Sequence, residues 1–593
     1  MKYEANRYEL IQVAQGKQFA DMFLRNGLVV NVYSGEILPC HVAIYKDRIA
    51  YVGASERSIG RYTKIIDCSN KYVVPGYIEP HAHPWVFYNP VSLTEKVLPL
   101  GTTTVIHDNL FFYLHMGAKG FANMLTDLKG LPGNHLWLVR LVSQARYPGE
   151  RDWFHETDIR SLLELDDVIG TAEVTRWPLL YQGDPFVIET VEYAKSLGKV
   201  SDGHTSGCSY DRLNSIVAAG ISACHEAITA GEVLDRVRLG LWTTLRNSSL
   251  RPDLPEIIKS ITEGTISTNR ILMTTDGPNP GFIEEYGFVD GLLRQAVELG
   301  LPPIQALQMV TINAATYLGL EQHIGGIAPA RRADVLVLPD LVSFRPETVI
   351  AGGQVVAESG NFTQPLPKID WLQHIVKQPF TVSKQVVADA NLYPYPLRDE
   401  NSSIPVIDFL MAVITKQTNL ELPCHNGYAD ISEYPDLVYA ALIDRDGKWV
   451  SHAILKHFAN RLDGMASTYN TTTHLLVIGR NPKAMAKAAV RVYEMGGGIA
   501  VIDGEASVLE IPLPFTGMMT TDSSFATALQ FHDALLDTLR QRGYPFHDIL
   551  YTLLFLTCDC LPGLRLTPEG IYHVKSDTVI ISARNLQVTT ISY

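Results

Sequence analysis

From about residue 72 to residue 320 the chain alternates short apolar, β-branched runs with stretches long enough to be helices. The runs fall at 102–106, 136–142, 168–172, 200–202, 221–224 and 271–274, with helical patterns at 210–219 and 289–299 and a closing one at 303–318. Alternation sustained over about 250 residues leaves two α/β architectures, a (β/α)8 TIM-like barrel or a doubly wound parallel sheet. The barrel is the expectation.

The flanks read differently. Residues 27–33, 40–45 and 49–52 are short β-type runs separated by turns, and 333–338 and 348–352 share their composition. The two sets are expected to complete one composite β-sandwich across the inserted barrel. A proline-bearing linker at 362–404 then leads into a further α+β domain. The expected units are 1–75 and 323–370 for the sandwich, 76–322 for the barrel and 371–593 for the C-terminal domain.

Of the 593 residues, 46% are hydrophobic and 19% charged, enough for large cores and too apolar for wholesale disorder. The net charge of −14 argues against nucleic acid or an anionic membrane as a partner. The seven cysteines include no CxxC pair, so neither a disulfide framework nor a zinc finger is expected, and Cys558 and Cys560 read as buried thiols. No basic-then-apolar leader opens the sequence, and no apolar run reaches about 18 residues. A cytoplasmic setting is the default.

The chemistry concentrates at the ends of the strand-like runs. His81 and His83 stand two apart, so on a strand both rings project to one side and can grip one ion. Glu173 offers two oxygens that could bridge two ions. His204, His225 and Asp276 follow later runs, and a barrel gathers such stations at one mouth. A divalent cation there lowers the pKa of water from near 16 to roughly 7, which makes hydrolysis the permitted chemistry. Asp276 would move the proton of the nucleophile to the leaving group. Glu226 has two readings, an acid for a ring nitrogen of the substrate or a group that orients His225. Trp85, Tyr286 and Phe288 either line a pocket for a flat ligand or fill core. The stretch 512–519 reads as a loop reaching a pocket or as inter-domain packing.

Pro75-Gly76-Tyr77-Ile78-Glu79-Pro80-His81-Ala82-His83, Gly101-Thr102-Thr103-Thr104-Val105 and Asp202-Gly203-His204 resemble the amidohydrolase superfamily. The run 213–221 with His225-Glu226, Asn313-Ala314-Ala315, 328–334, 513–519 and 562–567 is similar to the bacterial adenine deaminases in particular. That resemblance implies a barrel, a composite β-sandwich and a family-specific C-terminal domain. It also implies manganese- or iron-dependent hydrolysis of adenine, at a binuclear centre with zinc as an alternative metal, in a homo-oligomer. By likeness, His81 and His83 would hold one metal, Glu173 would bridge, His204 and His225 would hold the other, and Asp276 would be the acid/base. Departures stand beside these stations. Pro84-Trp85 replaces an Ile-Glu pair, Gly277 follows Asp276 in place of a second acid, Phe288 replaces a histidine, and Asn470-Thr471-Thr472-Thr473 replaces a His-Asp-Ser-His segment. They point away from adenine toward a related amino-substituted heterocycle. A cyclic-amide hydrolase and a catalytically silent metal-binding protein are the other readings.

Overall fold

The computed structural model describes residues 4–264, 266–377, 380–397 and 403–586. The expected linker at 362–404 therefore lies partly outside the described residues.

Eight parallel strands form the barrel: β1 (Tyr77–Ala82), β2 (Thr102–Asp108), β3 (Asn134–Val139), β4 (Val168–Val174), β5 (Val200–Gly203), β6 (Ala223–Cys224), β7 (Trp242–Arg246) and β8 (Ile271–Thr274). They pair as an arc of five, β5-β4-β3-β2-β1, and an arc of three, β6-β7-β8. Ser222 N–H donates to Ser201 O at 2.9 Å and joins the arcs on one side. A bridge between Ala82 and Asp276 joins them on the other. The result is a distorted TIM barrel. Gly101, at φ +101°, turns the chain into β2 where a Cβ would lie 2.8 Å from Leu336 and Tyr77, so the turn requires glycine.

The N-terminal strands Met22–Asn31, Glu36–Tyr45, Arg48–Gly53, Lys64–Asp67 and Tyr72–Pro75 share a nine-stranded sheet with Val335–Leu338, Thr348–Ala351, Gln354–Glu358 and Asn361–Phe362. The join is antiparallel, with Val74 opposite Leu336. The observed unit is this one mixed sheet built from both flanks of the barrel.

A second nine-stranded sheet carries the C-terminal α+β region, backed by helices Pro482–Met495 and Phe525–Arg540. Pro482 starts its helix with no lost bond, and the Asn481 side chain accepts from Lys483 N and Ala484 N. The region lies against the barrel mouth. Phe515 packs on Trp371 and Phe112, with centroids 4.9 and 5.6 Å apart, and Thr520 N–H donates to Phe87 O at 2.8 Å. The stretch 512–519 is thus inter-domain packing. No helix among the described residues is long and apolar enough to cross a membrane.

Candidate metal centre

Each station sits at the carboxyl end of a barrel strand. His81 is in β1 and His83 just beyond it, Glu173 is in β4, and His204 and His225 directly follow β5 and β6. Asp276 lies two residues past β8 in the left-handed region, at φ +62°. The strand ends bring all six together, in sets whose ligand atoms lie within 4.8 Å of one another.

Two sets meet around Glu173. In the first, His81 Nε2 and His83 Nε2 are 3.3 Å apart and stand 3.4 and 2.9 Å from Asp276 Oδ1. In the second, Glu173 Oε2 is 2.8 Å from His204 Nδ1 and 3.3 Å from His225 Nε2. The other carboxylate oxygen, Oε1, is 3.6 Å from His83 Nε2, which links the sets.

The donor chemistry fits divalent cations. His81 Nδ1 pairs with Asp202 Oδ2 at 2.7 Å, which fixes the ring with Nε2 turned toward His83 Nε2 and Asp276 Oδ1. Two imidazole nitrogens and a carboxylate oxygen converging there form a donor set for a divalent cation. Imidazole and carboxylate donors together suit manganese, iron or zinc.

Several buried charged residues that the sequence reading passed over hold this geometry. Arg140 pairs with Asp108 and with Glu173 Oε1 at 2.5 Å, and Gln144 Nε2 donates to the same oxygen at 3.3 Å. Arg246, the last residue of β7, pairs with Glu226 and reaches Asp276 Oδ2 at 3.2 Å. Glu79 is fully buried and accepts from His81 N–H (3.1 Å), Thr275 N–H (2.9 Å), the Thr275 hydroxyl (2.8 Å) and the Thr274 hydroxyl. The Thr274 hydroxyl oxygen in turn accepts Asp276 N–H at 2.9 Å. Glu79 therefore ties the strand carrying His81 to the turn carrying Asp276. The available signal was that Glu79, Asp108 and Arg246 stand inside strands, since a bare charge there would be costly and must find a partner.

The electrostatics separate the acids. Burial works to raise the carboxyl of Asp276, but His83, His81 and Arg246 hold it well below the usual carboxylate range. Glu173 behaves likewise, with Arg140 and His204 overcoming burial. Burial pushes Glu79 up to about 7.

Glu226 sits between two arginines. Its carboxylate is buried, yet it is held ionised by Arg246, by His204 and by Arg251 at 2.6 Å. A carboxylate gripped by two guanidinium groups is a poor proton donor. Its Oε1 lies 3.6 Å from both His204 Nδ1 and His225 Nε2, the ring nitrogens that also face Glu173.

Of the aromatic residues, only Trp85 meets the cluster. It is buried against His83, with centroids 4.8 Å apart, and edge-on to Phe111. Tyr286 is half exposed and lines a cleft shared with the C-terminal region. Phe288 is buried in the wall of a small cleft beside Thr275. Neither cleft is lined by any of the six metal stations.

Residues 72–356 match the model described as amidohydrolase family, and residues 412–578 match the adenine deaminase C-terminal domain. The Bacillus subtilis (strain 168) protein named "Putative adenine deaminase YerA" is 35% identical over 572 residues, 96% of each chain. The "Adenine deaminase" of Moorella thermoacetica is 32% identical over 583 residues, covering 95% of this chain and 96% of its own.

Proposed function

The chain belongs to the adenine deaminase family of the amidohydrolase superfamily, and from that premise we propose that it hydrolyses adenine or a related amino-substituted heterocycle. The products are the oxo-heterocycle and ammonia. Its class is that of a metal-dependent hydrolase. The observation that carries the finer reading is the meeting of two ligand sets on Glu173 with Asp276 at their edge.

His81 and His83 would hold one ion, His204 and His225 the other, and Glu173 would bridge them. Manganese or iron is the expected metal, with zinc the alternative. Bound divalent ions would make water nucleophilic near neutral pH. Asp276, at the edge of the first ligand set, takes a proton from the attacking water and passes it to the departing amine. Asp202 fixes the His81 ring, Glu79 fixes the Asp276 turn, and Glu226 holds Arg246 in place. None of the groups bonded to Glu173 is a lysine, which weighs against a hydrolase built on a carboxylated lysine. The working units are the barrel at 76–322, the shared β unit at 1–75 and 323–370, and the C-terminal unit at 371–593, within a homo-oligomer.

The test is ammonia release by protein loaded with Mn(II) or Fe(II), from adenine, other aminopurines and aminopyrimidines. Release from any of them supports deamination and names the substrate. No release from the whole panel overturns the proposal.

A further inference from the structure

The turn that carries Asp276, residues 274–279, is held from two sides. On the barrel side, Ala82 bridges Asp276, Glu79 accepts Thr275 N–H at 2.9 Å, and the Tyr88 hydroxyl donates to Pro278 O at 2.9 Å. On the other side stands helix Ile549–Phe555 of the C-terminal region. From it the Tyr551 hydroxyl donates to Gly277 O, and Asp548, just before the helix, accepts from Asn279 Nδ2 at 2.8 Å. Tyr88, Asn279, Asp548 and Tyr551 are all buried.

The contacts are fitted to this turn. Asp276 has φ +62°, a left-handed conformation that persists where the surroundings over-determine it. Gly277, where the family pattern has a second acid, leaves no room for a side chain. A Cβ there would lie 2.7 Å from the Tyr551 hydroxyl oxygen and 2.9 Å from His83 Cβ. The hydroxyl and a metal-competent histidine therefore meet at the residue that follows Asp276. The direction of the second bond is fixed as well. Asn279 Oδ1 caps its own helix by accepting Phe282 N–H at 2.8 Å, and Asp548 Oδ1 accepts Tyr551 N–H at 3.1 Å. What remains between the two helices is an amide donor on Asn279 and a carboxylate acceptor on Asp548.

We propose that Tyr551 and Asp548 are positioning residues for Asp276: through them the C-terminal helix fixes the turn, so that Asp276 Oδ1 stays 2.9 Å from His83 Nε2. Their role rests on the reading of Asp276 as the acid/base. Neither needs to touch the substrate. Loss of either bond lets the left-handed residue relax away from His83, which slows proton transfer and leaves substrate binding largely intact.

The experiment uses the full-length, manganese-loaded protein and the member of the aminopurine and aminopyrimidine panel that it deaminates. Tyr551→Phe keeps the ring and removes the donor, and is expected to lower kcat about tenfold with KM changed less than about twofold. Asp548→Asn keeps the helix cap but sets one amide against another, with the same expected loss. Adding Asn279→Asp to it restores the bond with donor and acceptor exchanged, and should recover kcat. In an Asp276→Asn background neither Tyr551→Phe nor Asp548→Asn should lower kcat further, a result that a merely structural role would not give. Crystal structures of the two single variants should show the Asp276 carboxylate displaced from His83. Unchanged kcat in both, an undiminished loss in the Asp276→Asn background, or an unmoved Asp276 turn each overturns the assignment. If Tyr551→Phe does not fold, Asp548→Asn and its reversal decide the matter. Wild-type protein that releases no ammonia from the whole panel sinks the deaminase reading, and the crystal structures then decide the positioning role alone.

Discussion

Replacing Glu79 by glutamine tests whether a buried acid that bonds the backbone of the His81 strand and the Asp276 turn sets the geometry of the centre. Glu79 is fully buried and its pKa is pushed up to about 7 from an ordinary 4.5. An acid whose folded pKa is raised binds its proton more tightly in the native state. Its contribution to stability is therefore fully present below about pH 4.5 and is lost as the pH rises through about 7. The whole swing is about 3 kcal/mol, of which about 2 kcal/mol falls between about pH 5 and about pH 7.5. The assay is urea denaturation of chelator-treated protein at those two pH values, wild type against Glu79→Gln. Taking the difference between the two proteins cancels every group they share. Wild type should lose about 2 kcal/mol more than the variant on going to the higher pH. Equal losses would refute the reasoning, because Glu79 would then titrate alike in both states. In the metal-loaded protein the same variant should lower kcat more than KM, since an amide cannot accept from both the Thr275 N–H and the two hydroxyls.

Asp276→Asn should bind substrate with a similar KM and lose about 10²–10⁴ in kcat, measured by ammonia release; near-normal turnover would remove Asp276 from proton transfer. Glu226→Ala strips Arg246 and Arg251 of their shared carboxylate and should cost about 3–5 kcal/mol in a denaturant titration. The pH–rate profile of that variant should keep both limbs, and loss of one would return Glu226 to the role of acid. Asp202→Asn should weaken manganese binding about 10–100-fold in a metal titration, because His81 loses the carboxylate that fixes its tautomer.

The ligand stations were legible because they are properties of strand ends. His81 and His83 share a side by strand alternation, and the barrel gathers Glu173, His204, His225 and Asp276 whatever their separation in sequence. The supporting charges were half legible. Glu79, Asp108 and Arg246 each stand inside a strand, where a lone charge must be paired, but nothing local says with what. Glu79 meets Thr275, 196 residues on, and Arg140 meets Glu173, 33 residues on. Tyr286 and Phe288 were less legible for a related reason. They lie on a helix and just past its end, not on a strand end, so nothing about β8 fixes where their rings point.

The same distinction bears on the departures from the family pattern. Phe288 occupies the place of a family histidine, yet it stands in a wall away from the metal cluster, so that exchange removes no ligand. Asn470-Thr471-Thr472-Thr473 is satisfied largely from within: Asn470 Oδ1 accepts from the Thr472 N–H and hydroxyl, and Asn470 Nδ2 donates to His474 O. Its threonines also reach outward, Thr473 to His115 at 3.2 Å and Thr471 to Thr557 at 2.7 Å. Polar groups from distant segments do reach the mouth. Gln144 touches Glu173 through its amide, and its backbone carbonyl accepts the N–H of Asp559 from the C-terminal region at 3.1 Å. Tyr551 reaches Gly277 across 274 residues, next to Asp276. The C-terminal region is thus joined to the strand ends through contacts that neither strand period nor local motif encodes.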